Sequence, residues 1–191
     1  MKSVGLFFGT FDPIHKGHEA IADFFLLNFF DEVWFVVTPM NPDKIEKGTS
    51  DENIRLEMIE QFCKLNKKFK CCDIEFKLKK PNYTGDTLNE IKKDFNNYEF
   101  SIIMGEDNLF TLHKWKNNSD ILKHKIYVYP RNLIYEKKAE LLNHPNVILS
   151  DAPMMNISSS SVREKIRLNQ PYDSLISKSI NDFIIKRKLY N

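Results

Sequence analysis

Residues 9–18 read "GTFDPIHKGH" and follow directly on the apolar run "SVGLFF" at 3–8. An apolar run closed by glycine, then a proline, then "HEAIADFFLLNFF" at 18–30 reads as a strand, a sharp turn and the start of a helix. Gly9 has no Cβ, so a ligand can approach the backbone closely there. Pro13 has no N–H to donate and stiffens the turn. Gly17 and His18 enter the first turn of the helix, whose unpaired N–H groups and positive dipole end favour a phosphate. If that helix begins at His15, then His15 and His18 share a face and aim two imidazoles at one point.

Outward from this turn, short β-type runs alternate with helical patterns. "SVGLFF", "VWFVVT", "CCDIEFKL", "FSIIMG", "KIYVYP" and "NVILS" are each apolar and bounded by Gly, Pro, Asn or charge. Between them, "DENIRLEMIEQFCKL" carries Ile54, Met58, Ile59 and Phe62 at helical spacing. "GDTLNEIKKDF" does the same with Leu88, Ile91 and Phe95, with Thr84 or Asp86 as its cap. Strands apolar on both faces, alternating with helices, predict an α/β fold. The expected form is a Rossmann-like, doubly wound, mostly parallel sheet with helices on both faces and right-handed crossovers. Residues 156–191 should form a C-terminal helical segment ending in "LISKSINDFIIKRKLY", and 1–191 should be a single domain.

Composition narrows the function classes. Lys and Arg number 28 against 26 Asp and Glu, a net charge of +2, which gives no nucleic-acid surface. The Lys-rich stretches "KLNKKFK" and "IIKRKLY" read as solvated helix ends. No run approaches the roughly 20 apolar residues of a membrane span, and "MKSVGLFFG" has too short an apolar run for a signal peptide. Cys63, Cys71 and Cys72 form neither a CxxC nor a disulfide framework. They read as packing residues in a reducing, cytoplasmic setting, with Cys71 and Cys72 on opposite faces of a strand. The N-x-S/T triplets at Asn82, Asn117 and Asn156 are then irrelevant as glycan sites.

A second constellation, "NISSSSVREKIR", lies at 156–167. Serines ahead of an apolar-periodic segment form an N-cap, and Arg163 falls on the face shared by Ser159 and Ser160. A second positive helix end with an Arg fork beside it makes a second polyphosphate cradle. The common phosphate loops GxxxxGK[ST] and GxGxxG are absent. A zinc site built on His15 and His18 would need a third ligand such as Asp12, and HxxH is a weaker signature than HExxH. Two structural histidines are the plain alternative.

"GTFDPIHKGH" together with the distal "ISSSSVR" resembles the nucleotidyltransferase superfamily marked by GxFxPxHxGH and ISxTxxR. Ser160 stands where Thr is usual, which keeps the hydroxyl. The segments "VVTPMNPDK", "PNYTGDTLNEI" and "IIMGEDNLFTLHKW" narrow the resemblance to the bacterial-type nicotinate mononucleotide adenylyltransferase family, over roughly residues 3 to 170. The resemblance implies adenylyl transfer from ATP, with Mg²⁺ bound through the phosphates and not by protein ligands, to nicotinate mononucleotide, giving deamido-NAD and pyrophosphate. It implies His15, His18 and Arg163 at the reacting phosphates, with Gly9, Thr10 and Phe11 lining phosphate through backbone N–H groups. Ser159, Ser160 and Arg163 would take the β- and γ-phosphates with Lys44, or with Lys47 in its place, since "NPDK" stands for the commoner "PPHK". Tyr83 and Thr84 would face the nicotinate carboxylate, Trp115 would stack on the pyridine ring, and Gly105 and Asp107 would meet ribose. Arg131 either adds a cation there or is a surface residue. Arg55, although it matches a family arginine, reads as helix surface.

Four rivals remain open at this stage, one of them a cytidylyltransferase, which would carry an HxGH but a different distal motif. A pantetheine-phosphate adenylyltransferase would be shorter and would show TxGH, without the "YTGDTL" and "GEDNL" segments. An enzyme preferring nicotinamide mononucleotide would differ in whether the Tyr83–Thr84 pocket offers an acceptor. A nucleotide sensor without turnover would not need the two histidines.

Overall fold

The computed structural model of the chain describes residues 1–42, 49–131 and 140–191. Among the described residues six strands form one sheet: β1 (Lys2–Gly9), β2 (Glu32–Val37), β3 (Phe69–Cys72), β4 (Tyr98–Gly105), β5 (Ile126–Tyr129) and β6 (Val147–Leu149). Their order is β3-β2-β1-β4-β5-β6, and every pairing is parallel. The order reverses beside β1, so the crevice between the carboxyl ends of β1 and β4 is the switch point where such sheets bind ligands.

Side-chain alternation explains the two-faced burial. Phe7, Phe35 and Ile103 point to one face, which α1 (Lys16–Asn28), α2 (Glu52–Cys63), α6 (Ser159–Arg167) and α7 (Lys178–Arg187) cover with Ile21, Phe25, Met58, Phe62, Val162 and Phe183. Leu6, Trp34 and Ile102 point to the other, under Leu88 and Ile91 of α3 (Thr84–Asp94), Leu109 of α4 (Glu106–Thr111) and Ile121 of α5 (Asn118–Ile121). Cys71 packs with the first cluster and Cys72 belongs to the second, as neighbours on a strand must. All three cysteines are free. Among the described residues no helix is long and apolar enough to cross a membrane.

Three local expectations are corrected. The third strand was expected at 71–78, but it starts earlier and stops at Cys72, and Ile74–Lys77 is a 3₁₀ turn. Within that turn Glu75 points inward, and its Oε1 accepts from Thr87 Oγ1 of α3 at 2.7 Å. The N-cap of α3 is Tyr83, not Thr84 or Asp86, and it makes no side-chain capping bond. Asp86 instead accepts from Lys116 and Asn117 at 2.8 and 2.9 Å.

The third correction concerns Arg55, which is wholly buried and not on the helix surface. Its guanidinium donates to four backbone carbonyls: Ser50 at 3.2 Å, and Thr10, Thr38 and Pro39 at 2.8 Å each. Three segments are thereby fixed together: the turn after β1, the end of β2 and the approach to α2. The bonds to Thr10, Thr38 and Pro39 are buried, so the arginine is part of the loop architecture. Arg55→Leu strips all of them of their donor at once. It is expected to lower the unfolding free energy by about 3 kcal/mol or more. Urea unfolding checks this, and a loss under about 1 kcal/mol would contradict the assignment.

Candidate active site

The first strand delivers the quoted turn to the switch point. Phe11 there adopts a left-handed backbone at φ 47°, and its ring folds back over Gly9. A Cβ on Gly9 would sit 2.8 Å from that ring. The missing side chain thus makes room for the Phe11 ring, and Gly9 itself lines the cleft. His15 is the N-cap of α1, with Lys16 its first residue, so the helix begins one position later than the shared-face reading supposed.

The two histidines cap the helix reciprocally. His18 N–H donates to His15 Nδ1 at 3.4 Å, and His15 N–H donates to His18 Nδ1 at 3.3 Å. The rings stack with centroids 3.7 Å apart. A neutral imidazole that accepts at Nδ1 carries its proton on Nε2, so each neutral ring is a donor at its far end. Burial, and then the charge of Arg131, push His15 down to about 4, which keeps it neutral at pH 7.

The distal serines are divided by task. Ser158 is the N-cap of α6, and its Oγ accepts from Ser161 N–H at 3.1 Å. Ser161 is absorbed by that capping box. Ser159 Oγ donates to Pro13 O at 2.9 Å, so its proton is committed and the cleft receives its lone pairs. Arg163 spans both constellations, donating to Asp12 O at 2.6 Å and to Ser160 Oγ at 3.4 Å. The amino-terminal tips of α1 and α6, about 145 residues apart in sequence, are joined side by side.

The resulting cleft encloses about 420 Å³. Gly9, Thr10, Phe11, His15, His18, Ser159, Ser160 and Arg163 line it on one side, and Thr84, Asp107, Trp115 and Arg131 on the other. Tyr83 lies in an adjoining recess of about 350 Å³ that shares Thr84 and Trp115 with the cleft. Gly105 borders a small hollow beside Trp115 and Tyr129. Any side chain on Gly105 would collide with the Asp107 carboxylate. Trp115 is half-buried, with its indole N–H on Thr111 Oγ1 at 3.1 Å. Arg131 lies within the cleft, with Nε 3.6 Å from Asp107 Oδ1 and its guanidinium 5.1 Å from the Tyr129 ring centroid. Lys44 and Lys47 lie outside the described residues.

Several residues of the site went unassigned at the level of sequence. Asp12, quoted inside the first motif, is buried behind it. Asn82, noted only as a glycan triplet, ties Met40 N–H to Glu75 O beneath the cleft. Glu75 lines the cleft floor, and its Oε1 accepts from Thr87 Oγ1 at 2.7 Å while its buried Oε2 has no hydrogen-bond partner among the described residues. An acid within the apolar "DIEFKL" was the signal available.

Burial raises Glu75 to about 7, above the ordinary 4.5. A carboxyl raised by folding contributes most when protonated, below the unfolded value, and that contribution is lost as pH climbs from 4.5 to 7. Glu75→Gln, neutral at every pH, should therefore gain on the wild type by about 2 kcal/mol between pH 5 and pH 8. Thermal or urea unfolding at both pH values reads the difference, and a pH-independent gap would refute it.

Comparison with known proteins agrees with this geometry. A family model described as cytidylyltransferase-like matches residues 6–165. A Flavobacterium johnsoniae protein named "Probable nicotinate-nucleotide adenylyltransferase" is 43% identical over 190 residues, covering 98% of each chain. A Clostridium tetani protein of the same name is 34% identical over 200 residues, covering 100% of both. The fold is shared with nicotinic acid mononucleotide adenylyltransferase of Plasmodium falciparum complexed with NaAD: TM-score 0.80, 22% identity, 100% of this chain and 98% of that one. With its two-tipped cleft at the sheet's switch point and a relative this similar over nearly the whole length, the chain belongs to the nicotinate-nucleotide adenylyltransferases, within the cytidylyltransferase-like group.

Proposed function

We propose that the chain transfers the adenylyl group of ATP to nicotinate mononucleotide, forming deamido-NAD and releasing pyrophosphate, a step of NAD synthesis. The observation that carries this reading is the meeting of two helix tips, with Arg163 bonded across both. A phosphate monoester has a second pKa of about 6, so the attacking oxygen is ionised at pH 7 and needs no general base. One bond forms between that oxygen and the α-phosphorus. The bond to the bridging oxygen breaks, and pyrophosphate leaves with the electron pair. The protein's task is to align two polyanions and to hold the charge that develops.

Roles follow from placement. Neutral His15 and His18 donate from Nε2 to the α-phosphate in its crowded state. Gly9, Thr10 and Phe11 offer backbone N–H groups from the turn. The backbone N–H groups of Ser159 and Ser160, with the Arg163 guanidinium, take the β- and γ-phosphates at the tip of α6. Thr84 and Tyr83, at the start of α3, face the nicotinate carboxylate, Trp115 stacks on the pyridine ring, and Asp107 accepts from ribose hydroxyls beside Gly105 and Arg131.

The donor set bears on the metal. Among the described residues no group of three or more His, Cys, Asp or Glu is placed to hold one. In this reading Mg²⁺ would enter bound to the phosphates of ATP. When bound, Mg²⁺ neutralises part of the triphosphate charge. We read 1–191 as one catalytic domain working in the cytoplasm, where the free cysteines stay reduced.

The assay is release of pyrophosphate with ATP, Mg²⁺ and either mononucleotide. Turnover should be clearly faster with the nicotinate form, and equal rates would remove the acid preference. Binding of ATP without product from either would favour the sensor reading. His18→Ala should keep the fold, at a capping cost of about 1 kcal/mol, and lower turnover at least about a hundredfold. A nearly active variant would remove His18 from the reaction.

A further inference from the structure

The carboxylate of Asp12 is 2% exposed and lies behind the phosphate cleft, where three donors hold it. Ser50 N–H donates to Oδ2 at 3.2 Å, Ser50 Oγ contacts Oδ1, and Tyr190 OH donates to Oδ1 at 2.8 Å. Tyr190 lies 178 positions away, beyond the end of α7, in a left-handed backbone at φ 68°. Its phenol is pushed upward by burial and by the Asp12 charge, so it remains a protonated donor.

Arg163 sits on the other side of the same residue. Its Nη1 donates to the Asp12 carbonyl at 2.6 Å but comes no nearer than 3.8 Å to the carboxylate. A buried carboxylate beside a guanidinium would ordinarily close to a charge-assisted pair of roughly 2.8 Å. Here Ser50 Oγ and Tyr190 OH anchor the carboxylate through Oδ1, and Oδ2, the oxygen nearer Arg163, stays 3.8 Å away. We propose that Tyr190 is a positioning residue: its hydroxyl, with Ser50, holds the Asp12 carboxylate off Arg163 and so keeps the guanidinium turned to the β- and γ-phosphates of ATP. This rests on the role of Arg163 given above. Tyr190 touches no substrate and acts only through Asp12.

The test is a double-mutant cycle of Tyr190→Phe and Arg163→Ala, read by calorimetric binding of α,β-methylene-ATP with Mg²⁺ and by steady-state kinetics. In the wild-type background, Tyr190→Phe should weaken ATP-analogue binding and raise KM for ATP roughly fivefold or more, with KM for the mononucleotide within about twofold. In the Arg163→Ala background the same change should cost less than about twofold. Ser50→Ala should reproduce the pattern. Phe183→Leu, which loosens the packing of α7 without touching Asp12, should not.

Equal losses in both backgrounds, or the same ATP shift from Phe183→Leu, would reduce Tyr190 to a packing residue and overturn the proposal. The binding arm needs no second substrate, so it stands even if the acceptor is not nicotinate mononucleotide. If the wild type bound the analogue but Arg163→Ala did not weaken it, the assigned role of Arg163 would fail first.

Discussion

Two positive helix ends repel one another, and the site depends on holding them together in the absence of a ligand. α1 and α6 each present unpaired N–H groups and the positive end of a dipole to the same cleft. The join is made with carbonyls of the turn between β1 and α1: Pro13 O takes Ser159 and Asp12 O takes Arg163. Both contacts are local dipoles of the sign that offsets the tips. The positive field is left unspent for a polyphosphate.

That turn can carry such a load because it is braced from beneath. Arg55 holds the Thr10 carbonyl from inside, together with carbonyls at the end of β2 and before α2. Asp12 gathers Ser50 and Tyr190 around a buried charge. A buried guanidinium and a buried carboxylate are costly alone, and here each is surrounded by partners. The opposite wall is organised in the same way, with Glu75 and Asn82 tying the 3₁₀ turn, the loop after β2 and α3 into one frame.

What could be read from sequence was what local physics dictates. Apolar runs, the turn glycines and the serine cap placed the strands, the sheet class and both helix tips, because each signal acts within one or two turns of chain. The resemblance in the two distal motifs then brought the tips together, which no local pattern could do. Misreadings fell where a distant partner decides. Arg55 looked like helix surface because its carbonyl acceptors come from other segments. "CCDIEFKL" looked like one strand, and the bond that Glu75 accepts from Thr87 within its 3₁₀ turn is tertiary. That the Phe11 ring lies against Gly9 could not be read, because the backbone twist that lays it there has no sequence signature. Tyr190 stood in what read as a solvated helix end, and its partner lies at the far end of the chain.

The most direct test of the account is a crystal structure with α,β-methylene-ATP and Mg²⁺. The triphosphate should lie between the two tips, with the α-phosphate within hydrogen-bonding distance of His18. The β- and γ-phosphates should then meet the N–H groups of 159–160 and the guanidinium of Arg163. A triphosphate bound elsewhere in the molecule, with the space between residues 15–18 and 158–163 filled only by water, would contradict it.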